Sequence, residues 1–148
     1  MNAPETLKRD SLYLAQTHEV VNVSNELVDY NAYTQDAALV DGVAREGGGW
    51  AHEALTAFGQ LTGSAETIEL GALANRNPPE FDTHDRFGNR VDLVRFHPSY
   101  HRLMQTAIEH GLHSSPWTDP RAGAHVARAE HTYLQTQVEA GHGCPITM

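Results

Sequence analysis

The histidines are the first side chains of this sequence to suggest chemistry, because imidazole is a common metal ligand. There are ten of them, and His97 and His101 stand four positions apart, a spacing that can place two ligands on one helix face. However, His97 precedes Pro98, which is expected to open a helix, so His97 lies at a cap and the two rings need not share a face. The sequence contains no His-Glu-x-x-His motif. We therefore predict capping or solvated histidines and no metal site.

Three aspartates around position 85 raise the alternative of a calcium site. Asp82, Asp85 and Asp92 lie close together, but an EF-hand loop needs oxygen ligands at alternate positions and a closing glutamate at its twelfth position. The alternate positions here are occupied by His84, Arg86 and Gly88. We predict instead that the acids lie in solvated turns and pair with the arginines of the same stretch, which are Arg86, Arg90 and Arg95.

The sequence offers little support for nucleophilic catalysis or for phosphate binding. The single cysteine, Cys144, is followed by Pro145 and has no identifiable base, so a buried and unreactive thiol is expected. The glycines at 47–49 lack the Gly-Lys-Ser/Thr of a phosphate loop, and they are expected simply to end a helix. The sequence predicts no catalytic residue.

Size and charge narrow the classes of function. The chain has 148 residues, the length of one domain, with 10 basic against 19 acidic residues and a net charge of −9. An acidic field repels phosphate, and only Lys8 and Arg9 are adjacent basic residues, so no nucleic-acid surface is predicted. No apolar run reaches the roughly 18 residues of a membrane span. With one cysteine and no export signal, a cytoplasmic protein without membrane partners is expected.

The elements that position these residues are mainly helical. Residues 1–16 show weak periodicity and are expected to form a mobile arm, and residues 17–33 an extended segment laid over the helices. The helical domain is expected to span 17–143, with a small β-hairpin near 81–96 that turns at Gly88 and Asn89. The β-type residues at 144–148 are expected to begin a strand.

Five helices are predicted from apolar periodicity and from capping residues. The first runs from a cap at Thr34 or Asp36 through Val43 and is stopped by the glycines at 47–49. The others run from near Trp50 to Gly63, from a cap at Ser64 to Asn75 or Arg76, from Pro98 to Gly111, and from a cap at Asp119 through Pro120 to Gly141. The residues Ser114 to Thr118 are predicted to form a loop. The fold class is therefore mainly α with one hairpin.

The stretch from Leu73 to Met104 contains sequence motifs that resemble those of a known protein family. It contains Leu-Ala-Asn-x-Asn-Pro-Pro-Glu, then Asp-x-x-Gly-x-Arg-x-Asp-x-Val-x-Phe-His-Pro-x-(aromatic)-His-x-Leu-Met, and the chain ends in Gly-x-x-Cys-Pro-Ile-Thr-Met. The pattern resembles the first domain of the AidB-type, adaptive-response branch of the acyl-CoA dehydrogenase flavoproteins and covers residues 17–148. The stretch at 24–26, Ser-Asn-Glu, departs from the proline-rich sequence usual there.

The resemblance implies a helical first domain followed by a β-barrel domain, whose first strand would begin at 144–148. In that family later domains complete the FAD site, carry the glutamate base and, in the AidB branch, bear a surface for double-stranded DNA. Met148 is the one residue here that the resemblance places against the flavin, so this chain alone is not expected to bind FAD. The expected partners are the missing domains or further copies of the chain.

Two functions therefore stand open from the sequence. The first is the N-terminal domain, or a truncated copy, of an FAD-dependent acyl-CoA dehydrogenase-like protein of the alkylation response. The alternative is a non-catalytic helical module that associates with itself. A reading frame that continues past Met148 into a β-rich segment would favour the first function.

Overall fold

The computed structural model describes residues 21–147 as seven α-helices and one antiparallel β-hairpin. The elements in chain order are α1 (Ala37–Arg45), α2 (His52–Thr62), α3 (Ala65–Arg76), β1 (Glu80–His84), β2 (Arg90–Arg95), α4 (Pro98–Glu109), α5 (Ser115–Thr118), α6 (Ala124–Val138) and α7 (Gly143–Thr147). A single 3-10 turn, Gly49–Ala51, precedes α2. The mainly α fold with a hairpin near 81–96 is thus confirmed, whereas the arm at 1–16 and Met148 lie outside the described residues.

The capping residues fix where the first and third helices begin. The carboxylate of Asp36 accepts hydrogen bonds from the backbone N–H groups of Ala38 and Leu39, at 3.0 and 3.2 Å. The hydroxyl of Ser64 accepts one from the N–H of Thr67 at 3.2 Å. Both satisfy donors that the first helical turn leaves unpaired, as the sequence predicts.

The core lies where α2 packs on α6 and α3 packs on α4. Its largest fully buried side chains are apolar apart from one glutamine: Tyr33, Phe58, Leu55, Leu103, Leu112, Leu134 and Gln135. The segment before α1 is laid over α2 as predicted, because the N–H groups of Tyr30 and Ala32 donate to the carbonyl oxygens of Gly63 and Gly59. None of the helices within residues 21–147 has the length and apolar character needed to cross a bilayer.

The hairpin stands apart from the helices. Phe81 lies opposite Val94 and Asp82 opposite Leu93, and a bulge follows Asp82. Because opposite residues share a face, Phe81 and Leu93 mark the two faces of the hairpin, and they are 59% and 48% exposed. The hairpin therefore presents apolar side chains to solvent on both sides.

The last long helix begins later than predicted. Gly123 has a φ of 75°, which breaks the helical path that Asp119 and Pro120 were expected to open, and α6 starts one residue after it. The preceding residues, predicted as a loop, form the short helix α5 instead. Pro116 accounts for this turn, because proline fits the start of a helix, where an N–H has no partner.

The C-terminal residues correct a second prediction. The strand expected at 144–148 is the helical turn α7 over Gly143–Thr147. Pro145 lies in its first turn, where no backbone donor is needed, and Ile146 is buried in the core. Burial of Ile146 therefore prevails over the β preference of these side chains. Cys144, predicted to be buried, is exposed.

Candidate functional site

The double-proline motif and the C-terminal end of α6 enclose a cleft of about 280 Å³. It lies between the end of α3, the start of α4 and the residues after α6. Its lining residues are Ala74, Asn75, Asn77, Pro78, Pro79, Phe96, Tyr100, Glu139 and Gly141. The stretch that carries the family resemblance thus forms most of the walls of one cleft, and we take this cleft as the candidate functional site.

The start of α4 positions one wall of the cleft. The Nδ1 atom of His97 accepts from the N–H of Ser99 at 3.2 Å, so His97 caps α4 as the sequence predicts. The ring of Phe96 stacks on the ring of Tyr100, with centroids 4.3 Å apart. His101 meets both rings edge-on and makes no metal pair with His97. The aromatic wall is therefore fixed by a helix cap and by ring stacking.

The opposite wall depends on Glu139. Its carboxylate accepts from the N–H groups of Gly141 and His142, at 2.8 and 3.3 Å, and lies 3.2 Å from the Nδ1 atom of the buried His142. Burial, and then the nearby Glu139 charge, raise the pKa of Tyr100. Little in the sequence indicates this cluster, except that Glu139 closely precedes Gly141, a spacing suited to a local cap.

The chemistry of the cleft is apolar with amide and carboxylate edges. Asn77 is already committed to the helix end, since its Nδ2 atom donates to the carbonyl oxygen of Leu73 at 2.7 Å. The lining includes no basic side chain, and the carboxylate of Glu139 repels phosphate. The volume of the cleft is also slightly below the roughly 300–1,000 Å³ that is usual for ligand sites. The residues that line this cleft therefore do not fit the pyrophosphate of FAD, and the flavin contact expected at Met148 lies outside the described residues.

Two further histidines flank a core aromatic ring. The ring of Phe58 lies 4.7 Å from that of His110 and 5.0 Å from that of His131. Burial is the main cause that lowers the pKa of each imidazole. The Nδ1 atom of His131 lies 2.9 Å from the carbonyl oxygen of Ala127, which assigns the proton to Nδ1 in the neutral ring. These histidines serve packing and are not brought together as metal ligands.

We expect the domain to lose stability as the pH falls below about 6.5, the ordinary pKa of histidine. The unfolded chain binds protons there that the folded His110 and His131 resist, so the free energy of unfolding decreases on acidification. Urea unfolding at pH 7.5 and at pH 5.5 measures the loss. His131→Gln should reduce it and His84→Gln, in the exposed hairpin, should not; equal losses in both variants would contradict the assignment.

The aspartates of the hairpin behave as turn acids. Asp85 accepts from the N–H groups of Phe87 and Asn89, at 2.8 and 2.9 Å, and hydrogen bonds led by the Asn89 side chain lower its pKa. Asp82 pairs with Arg95 and Asp92 with Arg90, as predicted, whereas Arg86 lies over the ring of Phe87. In the part of the chain that the structure describes, no group of three His, Cys, Asp or Glu side chains is placed to hold a metal ion.

Comparison with solved structures shows where the same fold occurs. The chain is similar to Caenorhabditis elegans ACDH-11, solved in complex with C11-CoA, with a TM-score of 0.73 and 20% identity over 95% of this chain and 24% of that one. It is also similar to the apo form of Bd2924, with a TM-score of 0.72 and 20% identity over 83% of this chain and 25% of that one. The chain therefore shares its fold with about a quarter of each of these larger chains.

Sequence comparison specifies the family further. The adaptive response protein AidB N-terminal domain matches residues 22–148. Over 134 residues the chain is 50% identical to the putative acyl-CoA dehydrogenase AidB of Escherichia coli strain K12, covering 90% of this chain and 25% of that protein. The chain belongs to the AidB N-terminal domain family, which confirms the resemblance seen in the sequence. It spans about a quarter of the length of this curated relative.

Proposed function

We propose that this chain acts as the N-terminal helical domain of an FAD-dependent, acyl-CoA dehydrogenase-like protein of the DNA alkylation response. At full length this protein would oxidise acyl-CoA thioesters, protect DNA, or do both. The observation that carries the proposal is the 50% identity, over 90% of this chain, to a protein named as a putative acyl-CoA dehydrogenase. The single cysteine suits a reducing compartment, and we propose the cytoplasm.

In the full-length protein this domain would contribute a packing surface and would not contribute catalytic groups. The candidate cleft has one carboxylate, Glu139. That carboxylate accepts hydrogen bonds from the backbone N–H groups of Gly141 and His142, so these bonds are not offered to a substrate. The apolar ring of Phe96 and the prolines Pro78 and Pro79 line the opposite side. Such a surface suits contact with a neighbouring domain, which would supply the base, most of the flavin site and any DNA-binding surface.

A chimera tests this function. Residues 22–148 would replace the matching quarter of the Escherichia coli relative, and the purified chimera should retain FAD, measured as flavin absorbance released on denaturation. The isolated chain should show no saturable quenching of FAD fluorescence at sub-micromolar concentration, because the described cleft has no group to pair with the pyrophosphate. The unmodified relative is the control. A chimera that unfolds cooperatively but purifies without flavin would contradict the proposal.

Self-association is a second candidate function, and the exposed hairpin favours it. Phe81 and Leu93 offer apolar surface on its two faces, and both strands have a free edge within the described residues. Light scattering on the full chain at tens of micromolar should then detect an oligomer. The double variant Phe81→Ser and Leu93→Ser should reduce the mass, whereas Ile108→Ser, at an exposed position of α4, should leave it unchanged. A monomeric wild-type chain would exclude this candidate.

A further inference from the structure

A groove of about 390 Å³ separates α1 from α6, away from the candidate cleft. Its walls are mostly apolar: Ala38, Leu39, Gly42, Val43, Val126, Ala129 and Tyr133, with Glu46 and Glu130 as the acids. Open apolar surface of this kind, next to a core, is a common place for a further segment to pack. What distinguishes this groove is the acid within it.

Glu130 is only 6% exposed, and the buried Oε1 atom of its carboxylate receives no hydrogen bond from any of residues 21–147. Burial, and then the charge of Asp36, raise the pKa of Glu130, and the charge of Glu130 in turn contributes to a raised pKa of Tyr33. A buried carboxylate without a partner is costly, since desolvation disfavours its charged form. The groove therefore combines apolar walls with an unmet need for a donor or a positive charge.

The described arginines do not meet this need. Arg45 pairs with Glu46 at the rim of the groove, and Arg128, on the same helix as Glu130, donates to the carbonyl oxygen of Leu112 at 2.6 Å. The other ion-paired arginines of the described chain have acids elsewhere as partners: Arg76, Arg90, Arg95 and Arg121. None of the ion pairs within residues 21–147 involves Glu130, so its charge is left for another segment to meet.

We propose that residues 7–14 of this chain dock in the groove between α1 and α6, with Lys8 or Arg9 paired to Glu130. This segment, Leu-Lys-Arg-Asp-Ser-Leu-Tyr-Leu, holds the only two adjacent basic residues of the sequence and the only lysine, flanked by apolar side chains. Its charge and its apolar residues thus complement the acid and the walls of the groove. The eleven residues between Arg9 and Val21 let these two Cα atoms lie up to about 40 Å apart when the chain is extended. This reach is comparable with the width of a domain whose radius of gyration is about 14 Å.

Tethering strengthens this pairing. A segment joined to its own site experiences an effective concentration in the millimolar range, so a weak contact suffices to hold it. Because the ion pair would be partly buried, dissolved salt would screen it less than it screens an exposed pair. The inference is independent of the proposed function, because the groove does not include the residues of the candidate cleft.

Paramagnetic relaxation in the full chain tests the docking. A nitroxide would be attached at Ser11→Cys in a Cys144→Ser background, since Cys144 is exposed and would also react. We expect the amide signals of Gly42 and Ala129, which line the groove, to broaden, and that of Gly88, at the hairpin turn, to remain sharp. Absence of broadening at the groove would overturn the proposal.

Charge variants decide whether Glu130 holds the segment. Glu130→Gln keeps the side-chain shape and removes the charge, so the broadening at the groove should fall. Glu109→Gln, on α4, changes the net charge equally and should have no effect. Broadening that persists in Glu130→Gln would overturn the pairing. A second experiment mixes spin-labelled chains with isotope-labelled chains that carry no nitroxide. Broadening at the groove of the isotope-labelled chains would assign the occupant to a second copy and would also overturn the proposal.

Discussion

Replacing Phe58 with alanine should lower the free energy of unfolding by about 3–5 kcal/mol, the usual cost of removing a buried aromatic ring. Phe58 is fully buried on α2, and its ring packs against the imidazoles of His110 and His131. Because domains of this size have a total stability of about 5–15 kcal/mol, the loss is a large part of the whole. Urea unfolding, with the slope unchanged, would measure it.

The matched control for this variant is Phe87→Ala. Phe87 has the same ring but lies 76% exposed in the hairpin turn, where removal should change the unfolding free energy by less than about 0.5 kcal/mol. A similar loss in both variants would mean that the ring of Phe58 is not the centre of the core. Phe58→Ala also removes the apolar cover of His110 and His131, so the pKa values of these two histidines should rise toward the ordinary value.

Replacing Gly71 with alanine should destabilise the domain by about 1–3 kcal/mol, as overpacking in a core does. A Cβ atom at Gly71 would lie 2.3 Å from the carbonyl oxygen of Val138, which belongs to the backbone of α6. Backbone cannot move aside as the end of a flexible side chain can, so α3 and α6 would have to separate. The candidate cleft lies directly beyond this contact and would change its width.

The control is an alanine at Gly42, inside α1, where an added Cβ meets no atom within 4 Å. There the same substitution should stabilise the domain by about 0.5–1 kcal/mol, because alanine favours the helix. Thermal or urea unfolding of both variants gives the comparison. Equal effects, of either sign, would show that the close approach of α3 to α6 is not rigid.

The sequence predicted those elements whose signals are local. Asp36, Ser64 and Pro98 start helices through their own side chains or ring geometry, and each helix begins where expected. The hairpin followed from its turn residues. The C-terminal turn α7 could not be predicted in this way, because it depends on burial of Ile146 in a core assembled from distant segments.

In the candidate site too, only the features with local sequence signals could be predicted. The double-proline corner and the capping role of His97 followed from residue types and spacing. The roles of Glu139 and Glu130 did not, because both acids look like ordinary surface residues in the sequence. Glu130 becomes distinctive only when α1 and α6 pack and remove water from its carboxylate. Desolvation is a property of the assembled helices and leaves no local pattern.

The isolation of the hairpin has a consequence for how the domain opens. Its backbone hydrogen bonds join β1 only to β2, and neither strand packs extensively on a helix. Local stability follows buried contacts, so the hairpin forms a cooperative unit of its own with a low opening free energy. Its amide hydrogens would exchange with solvent through openings that leave α2 and α6 intact, while the amides of those helices exchange only when the whole core unfolds.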